Sequence, residues 1–151
     1  MRFLELKIPP PILVLLTVAI MLGLWYCRVC PLANPWAIQV AALFAVVGIT
    51  FGLPSMLRFR KTGTIKPTHP EKATRLVVSG MYRFSRNPMY LGATSILLAI
   101  GIFLDDGLAL LPVPLFAAYL NSFQIIPEER ALEELFGDEY RDYKKRVRRW
   151  I

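Results

Sequence analysis

The sequence predicts an all-α integral membrane bundle of four transmembrane helices with a cytoplasmic C-terminal amphipathic helix. Three observations carry that expectation. Four apolar runs each approach the ~20 residues that a helix needs to cross a ~30 Å hydrocarbon layer. The basic residues fall almost entirely on alternate connections between those runs. After the last run, apolar residues recur every three or four positions. Composition agrees. Of 151 residues, 55% are hydrophobic and 19% are charged, whereas a soluble domain is near half apolar and about a quarter charged. A disordered chain is excluded on the same grounds. The length fits one domain, residues 1–151.

The runs are 10–27, 35–57, 88–104 and 107–126. With no water in the bilayer core, their backbone groups must bond within the segment, so helices are the expected form. Two of the runs are slightly short, which less tilt or interfacial residues would accommodate. Trp25, Tyr26 and Trp36 stand at the ends of the first two, where an aromatic belt places them. The first run is read as a retained span rather than a signal peptide, because no small-residue cleavage site follows it.

Net charge is +7, from 18 Lys and Arg against 11 Asp and Glu. Seventeen of the eighteen basic residues lie in the N-terminal arm, in residues 58–87 and in the tail after residue 126. The first connection carries only Arg28, and the third carries Asp105 and Asp106. By the positive-inside rule both termini and residues 58–87 are cytoplasmic. The charge is thus explained by anionic membrane lipids, at roughly 1 kcal/mol per basic residue near the surface, and no nucleic acid partner is needed.

Residues 58–87 are long for a connector and hold Gly63, Pro67, Pro70 and Gly80, so an extended loop is expected. Residues 127–151 read as a helix with a break at Gly137. Leu132, Leu135, Phe136, Tyr140, Tyr143, Val147 and Trp150 would share its apolar face. Such a helix suits a membrane surface or the cytoplasmic ends of the spans.

Several groups lack a chemical role by pattern. Cys27 and Cys30 form a lone C-x-x-C with no second pair and no nearby His, so no metal site is expected. His69 is the only histidine, in a loop without a partner. Asp105 and Asp106 read as a solvated loop on the other side of the membrane. No ionisable residue stands at mid-span, which disfavours a transporter.

Two stretches are different. The first is Gly80-Met81-Tyr82-Arg83-Phe84-Ser85-Arg86-Asn87-Pro88-Met89-Tyr90-Leu91-Gly92. Pro88 suits the first turn of a helix, Asn87 suits its cap, and free N–H groups there favour an anion. Arg86 adds a forked donor matched to a carboxylate. Gly92 leaves room for a ligand or a neighbouring helix. The second stretch is Pro127-Glu128-Glu129-Arg130. Two acids at the membrane boundary can hold a cation or accept hydrogen bonds from hydroxyl or amino groups. Each stretch also has a plain reading. The first would be an interfacial anchor, and the second would be acids complementing a helix dipole.

Together the stretches resemble the isoprenylcysteine carboxyl methyltransferase and phospholipid methyltransferase families. The resemblance rests on Gly80-x-Tyr82-x-x-x-Arg86-Asn87-Pro88-x-Tyr90-x-Gly92. It rests also on Glu128-Glu129 with Phe136-Gly137-Asp138-Glu139-Tyr140 and Tyr143 downstream. It covers residues from about Arg58 onward, and the first two spans match only in character. It implies a small membrane methyltransferase in the bacterial inner membrane that uses S-adenosylmethionine at the cytoplasmic face. Tyr82, Arg86, Asn87, Pro88, Tyr90 and Gly92 would line one wall of the cofactor site, and Glu128 and Glu129 the other. No catalytic residue is assigned. Many relatives have His where Asn87 stands. An amide cannot titrate, so the position is expected to bind rather than shuttle a proton.

The implied acceptor is lipophilic, an isoprenylcysteine-type carboxylate or a hydrophobic thiol. The alternatives are a phospholipid amine, or a non-catalytic anchor whose basic face binds lipid.

Overall fold

The computed structural model describes residues 5–27, 30–61 (side chains as far as Arg58) and 75–151. Among these residues 77% are helical and there is no strand. Residues 62–74 of the expected loop, His69 among them, lie outside the described residues.

Helix α1, Pro10–Cys27, has Pro10 at its start, where the missing N–H costs nothing. Helix α2, Ala37–Lys61, continues past the expected end at residue 57 and contains Pro54. Most large apolar side chains of both helices face outward, among them Leu15, Leu16, Ile20, Leu43, Val46 and Ile49. A helix that is apolar all round yet uncovered is made for lipid rather than water.

Helix α3, Pro88–Phe103, starts at Pro88 as expected. Its sixteen residues make it shorter than α1 and α2. Three helical stretches are long and apolar enough to cross a membrane: Pro10–Cys27, Ala37–Arg58 and Gly107–Arg146.

Backbone contact joins α2 to α3. Gly48 and Gly52 are one turn apart and face Gly92. A Cβ at Gly92 would stand 2.6 Å from the Gly52 Cα and 2.8 Å from the Gly48 carbonyl oxygen. A Cβ at Gly48 or Gly92 would clash, whereas one at Gly52 would be 3.6 Å from the Gly92 Cα; this is the small-residue crossing that lets helices pack without a hydrophobic driving force.

The loop after α3 does not behave as a solvated connector. Asp106 is 1% exposed. Its Oδ1 accepts from the Leu108 and Ala109 amides at 2.9 and 3.3 Å, capping α4, Gly107–Leu110. Its Oδ2 accepts from the Cys30 amide at 3.2 Å, and Asp105 Oδ1 accepts from the Asn34 amide at 3.1 Å. The two acids therefore clip the 30–36 loop to the end of α3. Unpaired backbone donors outweighed the general preference of aspartate for water.

After α4 come α5, Pro112–Tyr119, a π-helical stretch Leu120–Ile125, and α6, Ile126–Arg146. They run on as one 40-residue helical stretch, Gly107–Arg146. No free helix N-terminus precedes Glu128 and Glu129, so the dipole reading of these acids fails. Pro127 cannot donate to the Phe123 carbonyl four residues back. The Leu6 amide donates to that carbonyl instead, at 3.0 Å, which ties the N-terminal arm to this turn.

The expected break at Gly137 is present, with φ 51° and ψ −120°. Glycine is suited to this left-handed φ because it has no Cβ. The helix ends at Arg146 rather than running to residue 151. Val147 is extended and the chain turns back. Tyr140, Tyr143 and Val147 form a buried cluster with Leu76, Leu132 and Phe136, as the periodicity predicts. Leu135, adjacent to Phe136, points outward. Trp150 packs against the main core, in which Met21, Tyr90, Leu97, Val113, Phe116, Leu120 and Ile125 are buried.

Candidate active site

The site is built where three pieces of chain meet: the turn into α3, the π-helical stretch running into α6, and the extended tail after α6. The turn comes first. Residues Gly80–Arg83 form one 3-10 turn, begun by Gly80 at φ +68°, where a Cβ would strike Arg58 Nη1. Ser85 is fully buried, and its Oγ accepts from the Asn87 amide at 3.1 Å. Asn87 holds the N-cap position, but its side chain does not cap the helix. Its Nδ2 donates to the Arg149 carbonyl at 3.0 Å. The Arg86 amide donates to the Arg148 carbonyl, also at 3.0 Å. The returning tail has claimed the groups that would otherwise cap α3.

The side chains of Arg86 and Glu129 meet. Arg86 Nη2 lies 3.1 Å from Glu129 Oε1, and both side chains are about nine-tenths covered, at 10% and 8% exposure. Arg149 grips the same carboxylate with two bonds, Nε to Oε1 at 3.2 Å and Nη2 to Oε2 at 2.7 Å. Its Nη1 donates to Asn121 Oδ1 at 3.1 Å. The bond to Glu129 raises the Arg149 pKa further, so this cation is permanent. One carboxylate thus satisfies two guanidinium groups.

Glu128 has a different environment. It is only partly covered. Tyr90 Oη donates to its Oε1 at 2.6 Å, and Gln124 Nε2 donates to the same atom at 3.1 Å. Both donors are neutral. The π-helical stretch places Gln124 one turn before Glu128 and positions Asn121 for Arg149. Single widened turns of this kind recur at functional sites.

Tyr82 is held through its backbone, where its carbonyl accepts from Tyr143 Oη at 2.6 Å. Burial raises the Tyr82 hydroxyl pKa well above its ordinary value, and the nearby Glu128 adds to this. The hydroxyl therefore stays protonated and can only donate or accept as a neutral group. Two polar atoms of the site remain unsatisfied. Among the described residues, Arg86 Nε and Nη1 are buried without a partner. A buried donor left unpaired costs about 1–3 kcal/mol, so these atoms are suited to an acceptor that arrives with a ligand.

Of the residues expected from the sequence, Arg86 and Glu129 are joined directly, as are Tyr90 and Glu128. Asn87 is joined through the tail and Tyr82 through Tyr143. Pro88 is buried at the first turn of α3. Gly92 has its open face against Gly52 of α2 and spaces the helices. The sequence reading missed Ser85, Asn121, Gln124, Tyr143 and Arg149 as site residues. A signal existed for two of them. Asn121 and Gln124 are polar residues inside an apolar run, three and four positions from the next site residue on a helix.

Comparison with known proteins bears on the same region. The family model described as phospholipid methyltransferase matches residues 36–139. The match begins near the start of α2, earlier than the motif resemblance. It covers most of the chain and both arms of the cluster up to α6. A Haemophilus influenzae protein described only as uncharacterized is 52% identical over 63 residues, which are 42% of this chain and all of that protein. No solved structure matches. A helical membrane-type chain with this cluster and this match belongs to the phospholipid methyltransferase family.

Proposed function

We propose that the protein transfers a methyl group from S-adenosylmethionine to a lipophilic acceptor at the cytoplasmic face of a bacterial inner membrane. In this reading residues 88–104 form a fourth span and both termini are cytoplasmic. The single observation that carries it is Arg86. Its guanidinium is buried, anchored on one side by Glu129, and has two nitrogens without partners.

The donors and acceptors fit the cofactor. Arg86 would hold the methionine carboxylate, since a guanidinium matches a carboxylate in shape and charge. Glu128, with neutral partners and part of its surface open, would accept from an amino group or ribose hydroxyls. Glu129 would act behind Arg86, fixing its orientation. When bound, the cofactor supplies an electrophilic methyl carried on a sulfonium.

The protein's own task is then alignment and exclusion of water. Direct displacement needs the reacting atoms in line more than it needs an acid or base. Asn87, whose amide is committed to the tail, fits that division. A carboxylate or thiolate acceptor arrives deprotonated and would reach the site sideways from the bilayer. The name of the family favours a second acceptor, a phospholipid amine. An amine must shed a proton, and Tyr82, held protonated by burial, offers no base for it. The exposed basic residues after Glu129, including Arg141, Lys145, Arg146 and Arg148, would attract anionic lipids.

The test is transfer of a labelled methyl from S-adenosylmethionine to three acceptors in detergent or vesicles: a prenylated cysteine, a hydrophobic thiol and an aminophospholipid. Label in one of the first two supports the acceptor class proposed here. Label in the aminophospholipid alone transfers the assignment to that lipid. No label in any, with no cofactor binding by a folded protein, leaves the non-catalytic anchor.

A further inference from the structure

The N-terminal arm carries a strained residue outside the cluster. Leu6 has φ 58°, in the left-handed region that a residue with a Cβ seldom adopts. Such an outlier persists only where surrounding contacts enforce it. Here the Leu6 amide donates to the Phe123 carbonyl at 3.0 Å. That carbonyl lies in the π-helical stretch Leu120–Ile125, four residues before Pro127, which has no N–H to give it. Next to Leu6, Glu5 pairs with Arg130 at 3.4 Å, but the Arg130 side chain is 50% exposed, and surface pairs of this kind hold weakly. The amide is therefore the firmer of two ties. Both end at the joint between the π-helical stretch and α6.

We infer that Leu6 is a positioning residue for the site: its backbone amide stands in for the donor that Pro127 lacks, and so holds the π-helical register from which Asn121 reaches Arg149. The inference rests on the cofactor reading above for its binding assay, but not for its structural readout. Bonds in a π-helix skip one residue more than those in an α-helix. Rewound as α-helix, the stretch would turn Asn121 by roughly 100° about the helix axis relative to α6. Asn121 Oδ1 accepts from Arg149 Nη1 at 3.1 Å, and that bond would be lost. Arg149 in turn grips Glu129 with two bonds, and Glu129 holds Arg86 at 3.1 Å. The arm thus acts on the Arg86 guanidinium through Phe123, Asn121, Arg149 and Glu129, without itself standing in the cluster.

The experiment compares the full chain in detergent as wild type, Leu6→Pro, Leu6→Gly and the double variant Leu6→Pro with Pro127→Ala. Proline at position 6 removes the amide, whereas glycine keeps it and accepts the left-handed φ. Alanine at position 127 returns a donor from within the helix. Two quantities are read: calorimetric affinity for S-adenosylmethionine, and amide hydrogen exchange over residues 120–126. Leu6→Pro should bind about 5-fold or more weakly than wild type and exchange faster over that stretch. Leu6→Gly should bind within about 2-fold of wild type, with a thermal midpoint no lower. The double variant should regain both affinity and protection, a rescue that a general loss of stability would not show.

Wild-type affinity in Leu6→Pro overturns the inference. So does a Leu6→Gly variant as weak as Leu6→Pro, because the leucine side chain would then be the contact that matters. A double variant that stays weak overturns it too, since the Phe123 carbonyl would not be the point of action. Should Leu6→Pro alone fail to fold, the double variant decides: near wild-type affinity supports the inference, and a second failure to fold overturns it. No cofactor binding by folded wild type overturns the cofactor reading alone. Exchange then decides the inference by itself, with unchanged protection in Leu6→Pro against it and loss rescued by the double variant for it.

Discussion

Two pairs of adjacent acids stand at opposite ends of α3, and they are satisfied in opposite ways. Among the described residues, Asp106 accepts from the backbone amides of Cys30, Leu108 and Ala109. Glu128 and Glu129 accept there from side chains, namely Tyr90, Gln124, Arg86 and Arg149. Backbone amides have fixed positions and no spare valence, so the first pair closes a loop and caps a helix. Guanidinium and phenol groups have several donors and stand on separate segments, so the second pair leaves capacity for a guest. The partners of an acid, more than its burial, separate a structural carboxylate from a binding one.

The contrast can be broken by removing one acid at a time. Glu129→Ala should have the largest effect, because it strands Arg86 and leaves Arg149 without its ion pair. Removing one partner of a buried pair costs about 3–5 kcal/mol. Chemical denaturation should show that loss, and calorimetry should show no saturable cofactor binding. A variant as stable as wild type would mean that the two arginines find other partners.

Next is Gly92→Val, which touches neither pair but sets the helix on which both depend. Its side chain would meet the Gly52 backbone within 3 Å, and overpacking of this kind costs about 1–3 kcal/mol. The expected readout is a lowered thermal midpoint with proportionate loss of cofactor affinity. Unchanged stability would refute the close crossing of α2 and α3.

Asp106→Ala comes third. Loss of a helix cap costs about 0.5–2 kcal/mol, and stability should fall by that amount. Cofactor affinity should stay at the wild-type value, since no cluster residue touches this loop. A loss of affinity would mean that the ends of α3 are coupled.

Arg149→Lys should be the mildest. It keeps the charge but loses the two-bonded grip and the bond to Asn121. Cofactor affinity should fall by a few-fold, about 1 kcal/mol or less, and the midpoint should barely move. An effect as large as that of Glu129→Ala would make the tail, rather than Arg86, the main anchor of Glu129.

Much of this arrangement is readable in the chain itself. The starts of α1 and α3 follow from Pro10 and Pro88, and the bend in α6 follows from Gly137, because each residue restricts its own backbone. The pairing of the Arg86 corner with the twin glutamates was implied by the family resemblance that the two motifs carry. What escaped was decided by partners distant in sequence. Arg149 looks like one more basic residue in a basic tail, and nothing local shows that Val147 ends the helix and sends the chain back over Asn87. Asp106 looks solvated until the amide of Cys30, 76 residues away, is beside it. The continuity of the helix through Pro127 was hidden because the expected penalty of proline is relieved by Leu6.

The most direct measurement sets the two ends of α3 against each other in one titration. Wild type, Arg86→Ala and Asp106→Ala, each checked for fold, are titrated with S-adenosylmethionine in the same detergent. Saturable binding by wild type and Asp106→Ala, weakened by ~10-fold or more in Arg86→Ala, is the expected result. Equal affinity in all three proteins, or no binding by folded wild type, would contradict a cofactor site at the Arg86–Glu129 cluster.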